Sequence, residues 1–291
     1  MRTVKYKNTE GTEIVFSNQA PFILQNVEGF GGVSNEIHSQ RQFNRPGEQF
    51  ISQSLEVRNI VLEGLILAKT DEDLDVYRRE LVKEFNPMLA GTIIYRNDSE
   101  KEYEIDVVVD FAPNLDNQLI GTRIPFQIQL KALDVFWRDV SYYDSLIPLS
   151  QKVNLFKFPL QIVEDFQFAA IKSGDIIELQ NDGDADVGAI FTIKFFADVV
   201  NPRIYNVITQ EYFGFVGTYG IGTTLTISTV RGNKFVTKDI YGVETNAMSE
   251  RSLSSTFLQV RKGSNYFQVQ ADSGVNATIV DLKFTPLVLG V

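Results

Sequence analysis

Residues 102–111 read Glu102-Tyr103-Glu104-Ile105-Asp106-Val107-Val108-Val109-Asp110-Phe111, and they alternate. Tyr103, Ile105, Val107, Val109 and Phe111 fall on one face; Glu102, Glu104, Asp106 and Asp110 fall on the other. Side chains of a strand point to opposite faces in turn, so this pattern predicts a β-strand with one wet and one dry side. Downstream, Ile124, Phe126, Ile128 and Leu130 alternate with Arg123, Pro125, Gln127 and Gln129 in the same way. Upstream, 59–67 is more continuously apolar, which predicts a strand buried on both faces.

Between these strands the period changes to that of a helix. Thr70 is a good N-cap and Asp73 completes a capping-box pattern. Leu74, Tyr77, Leu81, Val82 and Phe85 then form one stripe, opposite Asp75, Arg79, Glu80 and Lys83, so a helix is predicted over about 71–85. Asn86-Pro87 ends it, because proline disfavours helical backbone in the residue before it. Before all this, residues 29–50 are polar and show no sustained period, which reads as a long loop of the kind used for contacts.

The second half has strands only. Phe191, Ile193 and Phe195 alternate, as do Leu225 with Ile227, Phe267 with Val269, and Val280 with Leu282 and Phe284. Turn signals at Asn181-Asp182-Gly183, Asn201-Pro202, Arg231-Gly232-Asn233 and Lys262-Gly263 separate them, which indicates a β-sandwich. The fold class expected is therefore mainly β with one amphipathic helix: a β-rich α+β domain over 1–140, a connection over 141–172 interrupted by Pro148 and Pro159, and an all-β sandwich over 173–291.

Composition excludes several function classes. A net charge of -10 repels phosphate backbones and anionic lipid, so neither nucleic acid nor membrane insertion is expected. There is no cysteine, so disulfides, thiolate metal sites and thiol catalysis are out, in keeping with folding in a reducing cytoplasm. The start of the chain, Met1-Arg2-Thr3-Val4-Lys5-Tyr6-Lys7, has no apolar core of a signal peptide, and no apolar run is long enough to span a membrane.

The candidates for chemistry are few, and each has a plainer reading. His38 is the only histidine and lies in the polar stretch, with no nucleophile elbow to serve. Asp182, Asp184 and Asp186 begin like a calcium loop, but Val187 and Ile193 stand where the sharp-turn glycine and the closing glutamate belong. Glu102, Glu104 and Asp106 are spaced as an inverting glycosidase could use them, yet they share the exposed face of an ordinary strand. Gly29-Phe30-Gly31-Gly32 lacks the lysine of a phosphate loop. Tyr205, Tyr212, Phe213, Phe215 and Tyr219 could stack on sugar, though packing is the commoner fate of such aromatics. No catalytic, cofactor-binding or metal residue is expected, no cofactor, and no enzyme.

Several segments, in order along nearly the whole chain, resemble the distal tail proteins (Dit) of long-tailed, non-contractile bacteriophages. Arg58-Asn59-Ile60-Val61-Leu62-Glu63-Gly64, followed by the helix ending in Leu81 to Asn86-Pro87, is similar to that family's N-terminal block. Ala132-Leu133-Asp134-Val135-Phe136-Trp137 resembles the stretch closing its first domain, with Leu133 and Val135 where the family often has prolines. Leu179-Gln180-Asn181-Asp182-Gly183-Asp184-Ala185, the strand Phe191 to Phe195 and the spacing Leu258 to Gly263-Ser264-Asn265 continue the likeness. The resemblance implies a first domain that forms a six-membered ring continuing the tail tube, and a galectin-like or carbohydrate-module-like second domain. It also implies a hub at the virion tail tip, assembled in the bacterial host cytoplasm. The partners implied are the tail tube protein, a tail-associated fibre or lysin protein, and receptor-binding proteins or a host-surface saccharide. The alternative is a carbohydrate-binding adhesion protein acting through its second domain.

Overall fold

In the computed structural model the described residues are 3–44, 46–115, 121–143, 145–154, 169–172 and 174–291. They fall into two units: Met1–Val140 together with Leu287–Val291, and Ser141–Pro286.

The strands of the first unit are β1 (Thr3–Asn8), β2 (Glu13–Phe16), β3 (Phe22–Glu28), β4 (Asn35–Arg41), β5 (Glu48–Leu55), β6 (Arg58–Leu67), β7 (Ala90–Arg96), β8 (Glu102–Asn114), β9 (Arg123–Ala132) and β10 (Trp137–Asp139), with helix α1 (Asp71–Glu84) after β6. The main sheet is antiparallel in the order β2-β1-β7-β8-β9-β6-β3. Its two edges meet at one bridge, where Ser17 pairs with Ile23 and accepts a hydrogen bond from the Leu24 amide at 2.7 Å. The curled sheet encloses a single core in which Phe16 lies against Phe85 and Phe126, and Tyr6 stacks on Phe85 at 4.0 Å between centroids.

Helix α1 begins as its sequence says: the Thr70 hydroxyl accepts from the Asp73 amide at 3.1 Å. Leu74, Leu81 and Phe85 are buried and Tyr77 half-buried, but Val82 is 44% exposed and not part of the stripe. Each residue turns about 100°, so Val82 sits a quarter-turn from Leu81 and over the edge of the apolar face. Glu84 takes a buried place instead. Its carboxylate accepts from Asn8 Nδ2 at 2.8 Å and from the Thr12 hydroxyl, while Asn8 Oδ1 accepts the amides of Glu10 and Thr12. The helix end is thereby tied to the β1–β2 turn by a buried acid whose Oε2 accepts both bonds.

Two strand expectations change. On β6 burial alternates strictly, with Ile60, Leu62 and Ile66 buried and Val61, Leu65 and Leu67 half-buried. Both neighbours, β3 and β9, are antiparallel, so one face meets the core and the other is only partly covered. On β8, Ile105, Val107 and Val109 are buried as the alternation requires, but Phe111 is 63% exposed. The register with β9 shifts between Val109 and Phe111, and a one-residue slip moves a side chain to the opposite face.

In the second unit, Ile147–Pro148, Thr278–Phe284, Val187–Phe195, Thr223–Ser228, Phe235–Ile240 and Val243–Asn246 lie side by side in that order. Ile176–Asn181, Gly263–Gln270, Arg203–Asn206 and Tyr212–Gly214 form a second sheet. Phe191 of the first meets Phe267 of the second edge-on at 5.9 Å, and Phe213, Phe215 and Tyr219 complete the packing between them. This is a β-sandwich. Of the expected connection 141–172, residues 144 and 155–168 lie outside the described ones. Its described strands, Ile147–Pro148 and the pair Gln151–Asn154 with Ala169–Lys172, belong to the second unit. Residues 287–291, grouped with the second domain by sequence, pair instead with the first unit through Trp137↔Val288 and Arg138↔Leu287.

Two expectations test the first core. Leu81→Ala lowers stability by about 2–5 kcal/mol, whereas Val82→Ala stays within about 0.5 kcal/mol. Denaturant unfolding followed by the fluorescence of Trp137, the sole tryptophan, reads the first unit selectively. Tyr6 is fully buried and its hydroxyl has no partner among the described residues. Burial, helped by the nearby Glu84 carboxylate, pushes the phenol up from 10.0 to about 12. The folded chain thus holds this proton more tightly, so the stabilisation is complete below pH 10 and is lost as pH rises towards 12. Tyr6→Phe should be neutral or stabilising at pH 7 and should flatten that alkaline loss; a deficit above about 1 kcal/mol at pH 7 contradicts it.

Candidate functional site

The sequence-proposed chemical residues do not converge. On β8, Glu102 pairs with Arg96 at 3.0 Å, and Glu104 and Asp106 both pair with Arg138. Hydrogen bonds from the Arg138 guanidinium hold the Asp106 carboxyl below its usual range. All three acids are thus engaged with arginines of the neighbouring strands β7 and β10. In the second unit, Asn181 is buried and shapes the acidic turn: its Oδ1 accepts the Gly183 amide and its Nδ2 donates to the Ala185 and Val260 carbonyls. Asp186 accepts the Lys262 amide at 2.9 Å and Asp184 pairs with the Lys262 ammonium at 3.2 Å. That turn is a joint between strands, and among the described residues no group of acids or histidine could hold a metal ion. Phe213, Phe215 and Tyr219 are buried, so they present no face to a sugar.

What stands out lies in 29–57, where the loop reading is corrected. β4 and β5 form an antiparallel ribbon with a bulge between His38 and Ser39, and every residue of both strands is exposed. Short runs of Gln, Ser and Glu hid the period, because both faces of a ribbon without a core are largely polar. The register sorts the side chains nonetheless. Asn35, Ile37, Ser39 and Arg41 share a face with Leu55, Gln53, Phe50 and Glu48; Glu36, His38 and Gln40 share the other with Ser54, Ser52 and Gln49. The paired apolar side chains Ile37 (61% exposed), Phe50 (58%) and Leu55 are thus all on one side, and Phe43 at the tip is 95% exposed. His38 sits on the polar face, 3.9 Å from the Glu36 carboxylate.

The ribbon is rooted by Arg58. Gly29 has φ +84°, and a Cβ there would lie 2.0 Å from the Asn59 carbonyl, so only glycine allows the chain to leave β3 so close to β6. The buried Arg58 guanidinium then donates to the carbonyls of Gly29, Gly31, Val135 (Nε at 3.1 Å, Nη2 at 2.9 Å) and Leu289. These bonds engage all three of its nitrogens, and all go to main chain. Its charge also lies 5.9 Å from the centre of the Trp137 ring, which Phe30 meets edge-on. Burial lowers its pKa from the ordinary value. The Val291 amide completes the joint by donating to the Phe30 carbonyl at 3.1 Å. An arginine opening an apolar strand was the one sequence signal for this clamp; its partners, far apart in the chain, were not.

Beside the root is a groove of about 890 Å³. β2 stops at Phe16 while β3 continues to Glu28, so past Ser17 the outer edge of β3 has no strand partner among the described residues. Val4, Leu24, Val27, Phe30 and Tyr95 give the groove apolar surface, and Asn18, Gln25, Asn26, Asn97, Asp98 and Ser99 line it with polar groups.

Comparison with known proteins agrees with this architecture. Residues 9–129 match the phage tail protein RIFT-related domain, and residues 182–286 match the siphovirus-type tail component, C-terminal domain. The Dit (gp 19.1) protein of phage SPP1, described as a paradigm of the hub adsorption apparatus in phages infecting Gram-positive hosts, has the same fold. Its TM-score is 0.65 at 12% identity, over 96% of this chain and 98% of that one. A chain of the phage P2 baseplate, in its activated conformation with Ca, aligns over 100% of both chains with a TM-score of 0.55 at 10% identity. No curated protein sequence matches the chain.

Arg58→Lys keeps the charge but supplies one compact ammonium for three separate segments. It should cost the first unit at least about 2 kcal/mol in Trp137-monitored unfolding and speed amide exchange at Val291. Unchanged stability and exchange would remove the clamp from the account.

Proposed function

We propose that this chain, which belongs to the distal tail protein family of siphoviruses, assembles through its first unit into a ring, a hexamer by family resemblance, that joins the tail tube to the fibre and baseplate proteins. Membership makes it a structural component of a phage tail. The ring and its junctions are the further step, and the ribbon is the observation that supports them. A two-stranded ribbon is marginal in water on its own, and here its apolar side chains are exposed among the described residues. Gln, Asn and Ser side chains around those apolar groups suit a wet, hydrogen-bonded interface in which each bond adds about 1 kcal/mol or less. A ring repeats one contact at every junction, so small gains accumulate.

The second unit is proposed to hold the fibre or receptor-binding proteins, in the galectin-like manner the family resemblance implies. Its acids and aromatics are engaged in turns, ion pairs and packing, which supports an attachment role over hydrolysis. Assembly in the bacterial cytoplasm fits a chain without cysteine.

Light scattering across a concentration series should give six times the 32.9 kDa chain mass. Replacing residues 36–46 by a short Gly-Ser linker should shift the population to smaller species while the β-type circular dichroism persists. A monomer at every concentration sinks the ring; an unchanged ring after replacement removes the ribbon from it.

A further inference from the structure

We infer that the outer face of the second sheet of the second unit binds a neutral saccharide chain, with Tyr205, Tyr212 and Tyr266 as its stacking surface. This deepens the attachment role proposed for that unit and does not depend on the ring. Of the aromatics between 205 and 219, Phe213, Phe215 and Tyr219 fill the sandwich, but Tyr205 and Tyr212 do not. On Arg203–Asn206, Ile204 and Asn206 are buried, so Arg203 and Tyr205 point the other way; on Tyr212–Gly214, Phe213 is buried and Tyr212 points out. On Gly263–Gln270, Asn265, Phe267 and Val269 are buried, which turns Tyr266, Gln268 and Gln270 outward. The register gathers these side chains. Tyr205 lies opposite Tyr212 on one side and Gln268 on the other, and Arg203 lies opposite Gly214 and Gln270. Directly opposed side chains stand about 5 Å apart, and Tyr266, diagonal to Tyr205, about 7–8 Å away.

The polar groups of this face form one network. Gln268 Nε2 donates to the Gly174 carbonyl at 2.7 Å, Gln270 Nε2 to Gln268 Oε1 at 2.7 Å, and Arg203 Nε to Gln270 Oε1 at 3.0 Å. Arg203 Nη1 reaches Asp272 at 3.2 Å, and the Tyr266 hydroxyl donates to Glu178 at 3.0 Å. Each group is thereby fixed in direction, while Arg203 Nη2 has no hydrogen-bond partner among the described residues. Oriented amides and a guanidinium beside tyrosine rings match a pyranose, whose C–H face lies on a ring while its hydroxyls bond at the border. A protein partner fits less well. On the four strands of this face Ile176 is the one exposed aliphatic side chain, too little apolar surface for a protein anchor. The sugar is neutral because a chain of net charge -10, with Glu178 and Asp272 at this face, repels polymers that carry phosphate or carboxylate.

Saturation-transfer NMR on the full chain, irradiating the aromatic protons, tests this with chitotetraose, maltotetraose and a galactan tetrasaccharide, and with a glycerol-phosphate polymer as the anionic comparison. Transfer to at least one neutral sugar is expected at about 10 mM, and none to the polymer. Tyr205→Ala and Tyr266→Ala should each weaken that binding at least about 5-fold. Arg203→Met should weaken it too with an unchanged melting temperature, since an exposed ion pair adds little to stability. Tyr241→Asn, at an exposed hairpin tip on the other sheet, should leave binding as it is. No transfer to any of the three sugars, undiminished binding by the folded Tyr205, Tyr266 and Arg203 variants, tighter binding of the polymer, or an equal loss in Tyr241→Asn overturns the site. Binding by a chain that stays monomeric upholds the site while the ring reading falls; a ring that binds no sugar does the reverse.

Discussion

A guanidinium with no carboxylate among its hydrogen-bond partners holds the first unit together where its topology is least regular. Arg58 is almost wholly buried, and taking such a charge out of water costs several kcal/mol unless every donor is met. Here each nitrogen finds main-chain oxygen, from residues 29, 31, 135 and 289. Charge-assisted bonds of this kind are roughly twice as strong as neutral ones, and the planar fork fixes their directions. The consequence is positional. The chain's exit from β3, its turn before β10 and its return after the second unit all converge on one side chain, so the ribbon springs from a rigid root.

The second constraint is the incomplete closure of the sheet. A curled sheet that met along its full edge would have no strand edge to offer. Among the described residues this one meets at Ser17 and Ile23, because β2 is four residues long and β3 is seven. The remaining edge of β3, its groove and the ribbon are all exposed in a single copy. Proteins that stay monomeric usually cover or charge such features. A tail component has the opposite requirement, and its exposed edges sit on a frame pinned by Arg58 and by the buried Glu84 tie at the helix end.

The acids that the sequence offered as candidates are engaged in ion pairs and turn contacts. Glu102, Glu104 and Asp106 form ion pairs with Arg96 and Arg138, and Asp184 and Asp186 engage Lys262. These acids fix strands to strands. The aromatic stretch near 213–219 fills the space between the two sheets of the sandwich.

Local pattern alone determined the strands with one clean apolar face, such as 124–130 and 191–195, and the helix with its Thr70 cap. In these, the burial of each residue follows from a period of two or 3.6 that adjacent residues already display. Local pattern failed wherever a partner set the outcome. Phe111 turns outward because β9 imposes a register shift, and Glu84 is buried because Asn8 and Thr12 wait for it. The ribbon escaped notice because without a core neither face need be apolar. The return of residues 287–291 to the first unit, and the meeting of residues 29, 31, 135 and 289 on Arg58, were decided by tertiary structure alone. Hydrogen bonds to main-chain carbonyls leave no signature in side-chain identity, so only the folded chain shows where they converge.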